Sequence, residues 1–222
     1  MMLAADTPVL SISEWPTNAE LIADCAALGY LRKEWRTLDP TWGRGTFWNL
    51  WRPDNLTASD LNPAKSPIGH SVDFTLLPWP DRHFDAVVLD PPYKLNGTPT
   101  EEVDERYGVH EVRTWQERMA LIRAGITECA RVLGDGFLLL KCQDQVCSGK
   151  VRWQTTEFAT HAKTLGLGQV DRLDMLSYRP QPDGVRQVHA RRNSSTLLVF
   201  KRGWESSDLA GEPTNQPGLF DQ

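Results

Sequence analysis

The stretch FDAVVLDPPY, residues 84–93, decides the fold class. Its first six residues are mostly apolar, with two β-branched valines in the middle, which is typical of a parallel strand buried on both faces. Asp90 and two prolines follow, and prolines end a strand because they lack the N–H that a sheet requires. The carboxyl ends of strands are where open α/β sheets bind their ligands. We therefore predict a central strand that leads directly into a functional site.

Strand and helix patterns alternate on both sides of this stretch. We predict further strands at residues 37–39, 56–59, 72–75 and 137–142, a short helix that Pro53 ends, and helices that follow the capping boxes TNAE (17–20) and TWQE (114–117), with one more at 156–165. Two last strands, at 170–178 and 196–201, form a terminal β-hairpin. The pattern predicts an α/β protein with a doubly wound, Rossmann-like sheet, mostly parallel with one antiparallel edge strand.

Composition bounds the rest of the organisation. The chain has 222 residues, 40 % of them hydrophobic and 24 % charged, which predicts one soluble globular domain over residues 1–202. Residues 1–35 form a helical lead-in, and residues 203–222, polar and acidic, are predicted to be a disordered tail. No apolar run is long enough for a membrane span, and the four scattered cysteines indicate reduced thiols, so we expect a cytoplasmic protein.

A glycine-bearing turn lies before the central strand. It is LDPTWGRGT, residues 38–46, where Gly43 and Gly45 permit a tight turn and close approach of a ligand to the backbone. Trp48 stands where the dinucleotide fingerprint needs its third glycine, which disfavours NAD. Asp60 ends the next strand, where such folds place the acid that binds ribose hydroxyls.

The segment directly after the central strand suits chemistry on the exocyclic amine of a nucleic-acid base. Its residues are Asp90, Pro91, Pro92 and Tyr93. That amine is a poor nucleophile because its lone pair is delocalised into the ring. The Asp90 carboxylate and the Pro91 carbonyl can accept its two N–H bonds, which localises the lone pair and stabilises the developing positive charge. Tyr93 offers a flat face for a base rotated out of the duplex. This chemistry requires neither a metal nor a covalent nucleophile, and the five histidines lack metal-ligand spacing.

Both segments resemble the amino-methyltransferases of DNA, whose motifs are Asp-Pro-Phe-x-Gly-x-Gly-Thr and (Asp/Asn/Ser)-Pro-Pro-(Tyr/Phe/Trp). The resemblance covers residues 36–201 and implies a methyltransferase domain with S-adenosylmethionine as cofactor. By this resemblance the cofactor would lie along the glycine turn, against Asp39, Pro40, Thr41, Trp42, Gly43, Gly45 and Thr46, with Asp60 at its ribose and Asp73 and Phe74 at its adenine. Thr41 departs from the family, which has phenylalanine there, and Trp42 beside it is the candidate substitute.

Several substrates remain open within this chemistry. Aspartate at the head of the motif favours N6 of adenine in DNA, whereas enzymes of the cytosine N4 amine more often begin with serine. Methyltransferases that act on base amines of RNA use similar motifs. A degenerate methyltransferase that serves as a DNA- or clamp-binding module is a further alternative, which Thr41 motivates.

Contacts to DNA are predicted in two loops, residues 94–113 and 178–193. The net charge is −5, but residues 172–202 contain seven basic side chains and the tail carries acids without a lysine or arginine. The candidate contacts are Lys94, Arg179, Arg186, His189, Arg191 and Arg192. The tail segment Gln216–Phe220 (QPGLF) resembles the short peptides that bind the replication sliding clamp, which makes the clamp a candidate partner.

Overall fold

A computed structural model describes residues 8–95, 114–177 and 188–205. The strands are β1 (Ile12–Ser13), β2 (Arg36–Asp39), β3 (Asn55–Ala58), β4 (Phe84–Leu89), β5 (Leu133–Cys142), β6 (Gln145–Cys147), β7 (Lys150–Arg152), β8 (Leu167–Leu176) and β9 (Ser194–Arg202). Seven of them form one sheet in the order β1-β8-β9-β5-β4-β2-β3, and β6 pairs with β7 as a separate hairpin. The strands predicted on either side of the Asp-Pro-Pro-Tyr motif are thus confirmed, with one exception described below.

The helices begin where the capping boxes predict. Helix α1 (Asn18–Ala27) follows Thr17, and α2 (Trp115–Val132) follows Thr114; in both, the threonine side chain and the glutamate three residues later satisfy each other's backbone N–H groups. Helix α3 (Gln154–Thr164) matches the third prediction to within two residues. The helix expected after the glycine turn is shorter than its pattern suggested, a single 3₁₀ turn at Thr46–Trp48.

The sheet is parallel except for one strand. Strand β9 runs antiparallel to both β5 and β8, so the terminal β8–β9 hairpin and the mostly parallel, doubly wound sheet are confirmed. The expected edge position of the reversed strand is wrong, because β9 lies between β5 and β8, and β1 takes the edge beside β8. Residues Leu197–Phe200 explain this position. All four side chains are buried, as an interior strand covered on both faces requires.

The strand predicted at residues 72–75 is also wrong. Val72 and Phe74 are buried there, but the backbone turns instead of extending. Asp73 causes the turn, since its carboxylate accepts the Thr75 N–H at 2.8 Å and its carbonyl accepts the Leu76 N–H at 2.9 Å. Ser71, directly before this segment, forms an isolated parallel β-bridge with Asp60.

Two apolar cores cover the faces of the sheet. Helices α2 and α3 pack on one face around residues such as Ile122, Ile126 and Phe158. On the other face α1 packs with Phe47 and a set of tryptophan rings, Trp15, Trp35, Trp42, Trp48 and Trp51. All four cysteines are buried, and none of them forms a disulfide bond. No helix within the described ranges combines the length and apolar character that a bilayer crossing requires.

Candidate active site

Four parallel strands bring their carboxyl ends to one edge of the sheet. The register pairs Leu38 of β2 with Val87 of β4, and Leu89 of β4 with Leu140 of β5. Asp90 therefore lies level with Lys141 on one side and close to the turn after β2 on the other. The sequence motifs around Asp39, Asp60 and Asp90 thus meet at this edge, as expected of a doubly wound fold.

Asp90 heads the site with an unsatisfied carboxylate. Its Oδ1 atom is buried and has no hydrogen-bond partner among the described residues, which is uncommon for a native carboxylate. Its backbone N–H donates to the Thr41 hydroxyl at 2.9 Å. Burial raises the pKa of Asp90 to about 6, and the nearby Lys141 charge opposes that rise. Asp90 can therefore still accept hydrogen bonds as a carboxylate at neutral pH.

Lys141 is the buried cation of the site. Its side chain is 2 % exposed. The ammonium donates to Oδ1 of Asn18 and lies 3.4 Å from the Met175 sulfur. Burial lowers the pKa of Lys141, and the charge of Asp90 works against that effect. Lysine on an otherwise apolar strand was the sequence signal for this residue.

Asp39 holds the glycine turn together. Its Oδ1 accepts the Thr41 N–H at 3.0 Å, and its Oδ2 accepts the Trp48 indole N–H at 2.8 Å. Burial raises the pKa of Asp39 to about 7, with a smaller contribution from the charge of Asp90. Since Asp39 is buried and both of its oxygens already accept hydrogen bonds within the chain, its role is to stabilise the turn.

The two glycines of the turn have different surroundings. Both have positive φ, 56° at Gly43 and 67° at Gly45, a region that favours glycine. The space that a Cβ would occupy at Gly43 is open, whereas at Gly45 it is filled by the Trp42 ring. Asp60 accepts the Gly43 N–H at 2.8 Å through its Oδ2 atom. The Gly43 half of the turn is therefore the half that is open to a ligand.

These surroundings fit a nucleoside cofactor at the ends of β2 and β3. Ser59, at the end of β3, has a buried hydroxyl oxygen with no partner within the described part of the chain. It adjoins Asp60, which is half-buried and whose two oxygens accept the Gly43 and Asn62 N–H groups, each at 2.8 Å, with lone pairs left for a ligand. Pro40 is buried behind the turn and Thr46 is exposed at the start of the 3₁₀ turn. Sequence reasoning missed Ser59.

The structure places Asp73 and Phe74 differently from a pair of adenine contacts. Asp73 is exposed and its Oδ1 accepts the N–H and hydroxyl of Thr75. The Phe74 ring is buried and packs against Gly125 of α2, where a Cβ would overlap the ring. Phe74 therefore belongs to the core, and Asp73 is the member of the pair that a ligand could reach.

Two glutamines hold the end of the Asp-Pro-Pro-Tyr motif and the residues directly after it. The Tyr93 carbonyl accepts from the side-chain amides of Gln145 and Gln154, each at 2.8 Å. The Gln145 side chain also accepts the Leu95 N–H at 3.1 Å. Pro91 is buried, whereas Pro92 and the Tyr93 side chain are half-buried. These glutamines were not predicted, although polar residues directly after an apolar strand were a signal for them.

The predicted nucleic-acid contacts fall into two groups. Lys94 is exposed beside the catalytic motif, and its carbonyl accepts from Arg118 at 3.0 Å. His189, Arg191 and Arg192 are half-buried in the approach to β9. Arg179 and Arg186 lie outside the described residues, as do residues 96–113 and the clamp-binding segment 216–220. Within the described ranges, no three His, Cys, Asp or Glu side chains come together as metal ligands would.

Comparison with known proteins shows the fold. No protein-family profile matches the sequence, and no curated protein matches it. The chain is similar in structure to a protein of Pyrococcus horikoshii assigned as an RNA methyltransferase, with TM-score 0.54 and 11 % identity over 89 % of this chain and 90 % of that one. It is similar also to the [4+2]-cyclase SpnF, with TM-score 0.52 and 16 % identity over 86 % and 83 % of the two chains.

A protein of Thermus thermophilus assigned as a DNA modification methylase matches less well. Its TM-score is 0.39 at 16 % identity, and the match covers 62 % of this chain but only 51 % of that one. The sheet and the two stronger similarities define the Rossmann-like methyltransferase fold. Because a cyclase shares it, the fold alone does not decide the reaction.

Proposed function

We propose that this chain transfers a methyl group from S-adenosylmethionine to the N6 amine of adenine in DNA, with the target base rotated out of the duplex. The observation that carries the proposal is the buried Oδ1 of Asp90 at the head of Asp-Pro-Pro-Tyr, which has no hydrogen-bond partner in the described part of the chain. A buried carboxylate oxygen without a partner is costly unless a ligand supplies the missing donor. An exocyclic amine is such a donor.

The cofactor fits the edge formed by β2 and β3. Ser59, Asp60 and the open face of Gly43 would hold its ribose and its amino-acid portion. Asp73, which is exposed, remains the candidate contact for its adenine. S-adenosylmethionine supplies an already activated methyl group, so positioning provides most of the remaining catalysis. The turn is followed by a 3₁₀ helix of three residues, Thr46–Trp48. The cofactor would therefore be bound by these side chains and by the backbone of the turn, and not by the N-terminus of a long helix.

The residues of the catalytic motif act on the amine. Asp90 Oδ1 accepts one N–H of the amine, and the Pro91 carbonyl accepts the other, which concentrates the lone pair on nitrogen and stabilises its positive charge during transfer. Tyr93 supplies a half-buried face against which the base can stack. The glutamine amides on the Tyr93 carbonyl keep this segment in position.

Thr41 has a task that its family counterpart could not perform. Its hydroxyl accepts the N–H of Asp90, and its own N–H donates to Asp39, so one residue links the glycine turn to the catalytic carboxylate. Phenylalanine has no hydroxyl for this bond. The departure from the family pattern therefore favours an altered but working site over a degenerate one.

The test is transfer of labelled methyl from S-adenosylmethionine to unmethylated DNA, with mass analysis of the nucleosides. Methyladenine should form with the native chain and disappear in Asp90→Ala. Asp85→Asn is the matched control, because Asp85 lies at the other end of β4, where it pairs with Arg36. Methylcytosine in place of methyladenine would refute the base, product on RNA but not DNA would refute the polymer, and DNA binding without any turnover would refute the enzyme.

A further inference from the structure

The β6–β7 hairpin lies directly beside the catalytic motif. Its first residue is Gln145, whose side chain bonds the Tyr93 carbonyl at 2.8 Å and the Leu95 N–H at 3.1 Å. Its two-residue turn, Ser148 and Gly149, has positive φ at both positions, 51° and 72°, as tight hairpin turns favour. A hairpin fixed in this way is a rigid projection next to the place where a target base would enter.

Basic residues outnumber acidic ones along this projection. Residues 145–156 contain Lys150 and Arg152 and no Asp or Glu, and residues 188–195 contain Arg191 and Arg192 and again no acid. His189 joins the two segments, since its ring nitrogen contacts the Gly149 carbonyl at 2.9 Å. In a chain of net charge −5, this is a local concentration of positive charge.

Aromatic rings hold two of the arginines. The Arg192 guanidinium lies 4.6 Å from the ring centre of Trp153, and the Arg152 guanidinium lies 3.6 Å from that of Trp115. Trp153 itself is 51 % exposed. Each ring fixes the position of one guanidinium, the Nε atoms of Arg152 and Arg192 are buried, and the exposed indole adds a flat apolar face.

We propose that this surface, formed by Lys150, Arg152, Trp153, His189, Arg191 and Arg192 and here called the hairpin surface, binds the duplex DNA that flanks the target base. Lysine and arginine neutralise phosphates, while an exposed indole next to arginine stacks on an unpaired base. Both kinds of contact are needed where a duplex has one base rotated out. The assignment of DNA rests on the proposed function, which supplies the target base.

The experiment measures binding of the full chain to a fluorescent duplex of about 30 base pairs over a range of salt concentrations. The double variant Lys150→Gln/Arg192→Gln should bind more weakly and with a log–log salt slope smaller by about two, because two phosphates are no longer neutralised. Trp153→Ala should bind about tenfold more weakly, and Trp153→Phe should restore most of the affinity, because phenylalanine also stacks.

Lys33→Gln is the matched control. Lys33 is an exposed lysine that pairs with Asp54 at the opposite, amino-terminal edge of the sheet, and its replacement should leave DNA binding unchanged. Thermal unfolding of every variant identifies any weakening that comes from misfolding. Unchanged affinity and slope in the folded hairpin variants would overturn the proposal. Tighter, hairpin-dependent binding to RNA of the same sequence would overturn the choice of DNA.

The methyl-transfer assay separates this inference from the proposed function. Asp90→Ala should abolish transfer and keep DNA binding, whereas the hairpin variants should raise KM for DNA with a smaller change in kcat. Hairpin-dependent DNA binding by a chain that transfers no methyl refutes the proposed function alone. Methyl transfer to DNA with hairpin variants that keep the native KM refutes the hairpin surface alone.

Discussion

Replacing Thr41 by valine removes one hydroxyl from the junction between the two motifs and leaves the side-chain volume almost unchanged. The hydroxyl accepts the Asp90 N–H at 2.9 Å and donates a longer bond to Oδ1 of Asp39 at 3.5 Å, whereas the Thr41 N–H keeps its own bond to Asp39 at 3.0 Å. The substitution therefore removes the short bond to Asp90 together with the long bond to Asp39, and the short bond carries most of the effect. It tests whether Thr41 positions the catalytic carboxylate.

The expected magnitude follows from that bond. A buried donor left without an acceptor costs ~1–3 kcal/mol, and the Asp90 N–H is partly buried at the end of β4, so we expect the unfolding free energy to fall by about 1–2 kcal/mol. The relative decrease in kcat should be larger than the relative decrease in stability. A carboxylate displaced by a fraction of an ångström loses its alignment with the amine, and we expect kcat to fall by about one to two orders of magnitude.

Urea unfolding measures the first quantity, and single-turnover methyl transfer with saturating DNA and cofactor measures the second. Thr41→Ser is the matched control, because serine keeps the hydroxyl. Its unfolding free energy should stay close to that of the native chain, and its single-turnover rate should stay within about threefold. If Thr41→Val matched the native chain in unfolding free energy and in single-turnover rate, the hydroxyl would not position Asp90. An equal decrease in Thr41→Ser would assign the effect to packing.

Four further outcomes are expected. The transfer rate should fall about tenfold per pH unit below pH 6, because burial raises the pKa of Asp90 to about 6 and protonation removes the negative charge that stabilises the positive charge developing on the amine. Lys141→Met should move that fall to higher pH, since the lysine charge lowers the pKa of Asp90, and a pH–rate profile that does not move contradicts this. Gly125→Ala should lower the unfolding free energy in urea by ~1–3 kcal/mol, because its Cβ would overlap the Phe74 ring, and a gain in stability would show that the ring can yield. Gly43→Ala should cost ~1–2 kcal/mol through its positive φ and weaken cofactor binding in calorimetry, and unchanged cofactor affinity would place the ligand elsewhere.

The sequence was most informative where a local pattern determined the local structure. Valine-rich 84–89 became β4, and the two threonine capping boxes started α1 and α2 at the expected residues. The Asp-Pro-Pro-Tyr motif came to the carboxyl edge because parallel strands end there together. Periodicity and capping are short-range properties, and they do not depend on which elements are neighbours.

The errors arose where neighbours decide the outcome. The segment at 72–75 has strand-like composition, but Asp73 accepts the Thr75 N–H through its carboxylate and the Leu76 N–H through its carbonyl, so these two N–H groups need no second strand. The apolar run Leu197–Phe200 fits an interior strand, but no local pattern encodes which two strands lie on either side of β9. The resemblance predicts Phe74 as an adenine contact. Its ring instead packs in the core, in the space that Gly125 on α2 leaves because it has no side chain.

The interior position of β9 has a consequence for how the chain can fold. Strand β5 is made some fifty residues before β9, and until β9 arrives its edge carries unpaired backbone groups beside apolar side chains such as Leu138 and Leu140. The β8–β1 pair likewise stays unattached to the rest of the sheet, because β9 is its link to β5. A nascent chain therefore keeps an adhesive edge open until residues 194–202 have left the ribosome. Interrupted synthesis would yield two unjoined sheet fragments prone to aggregate, in place of a smaller folded protein.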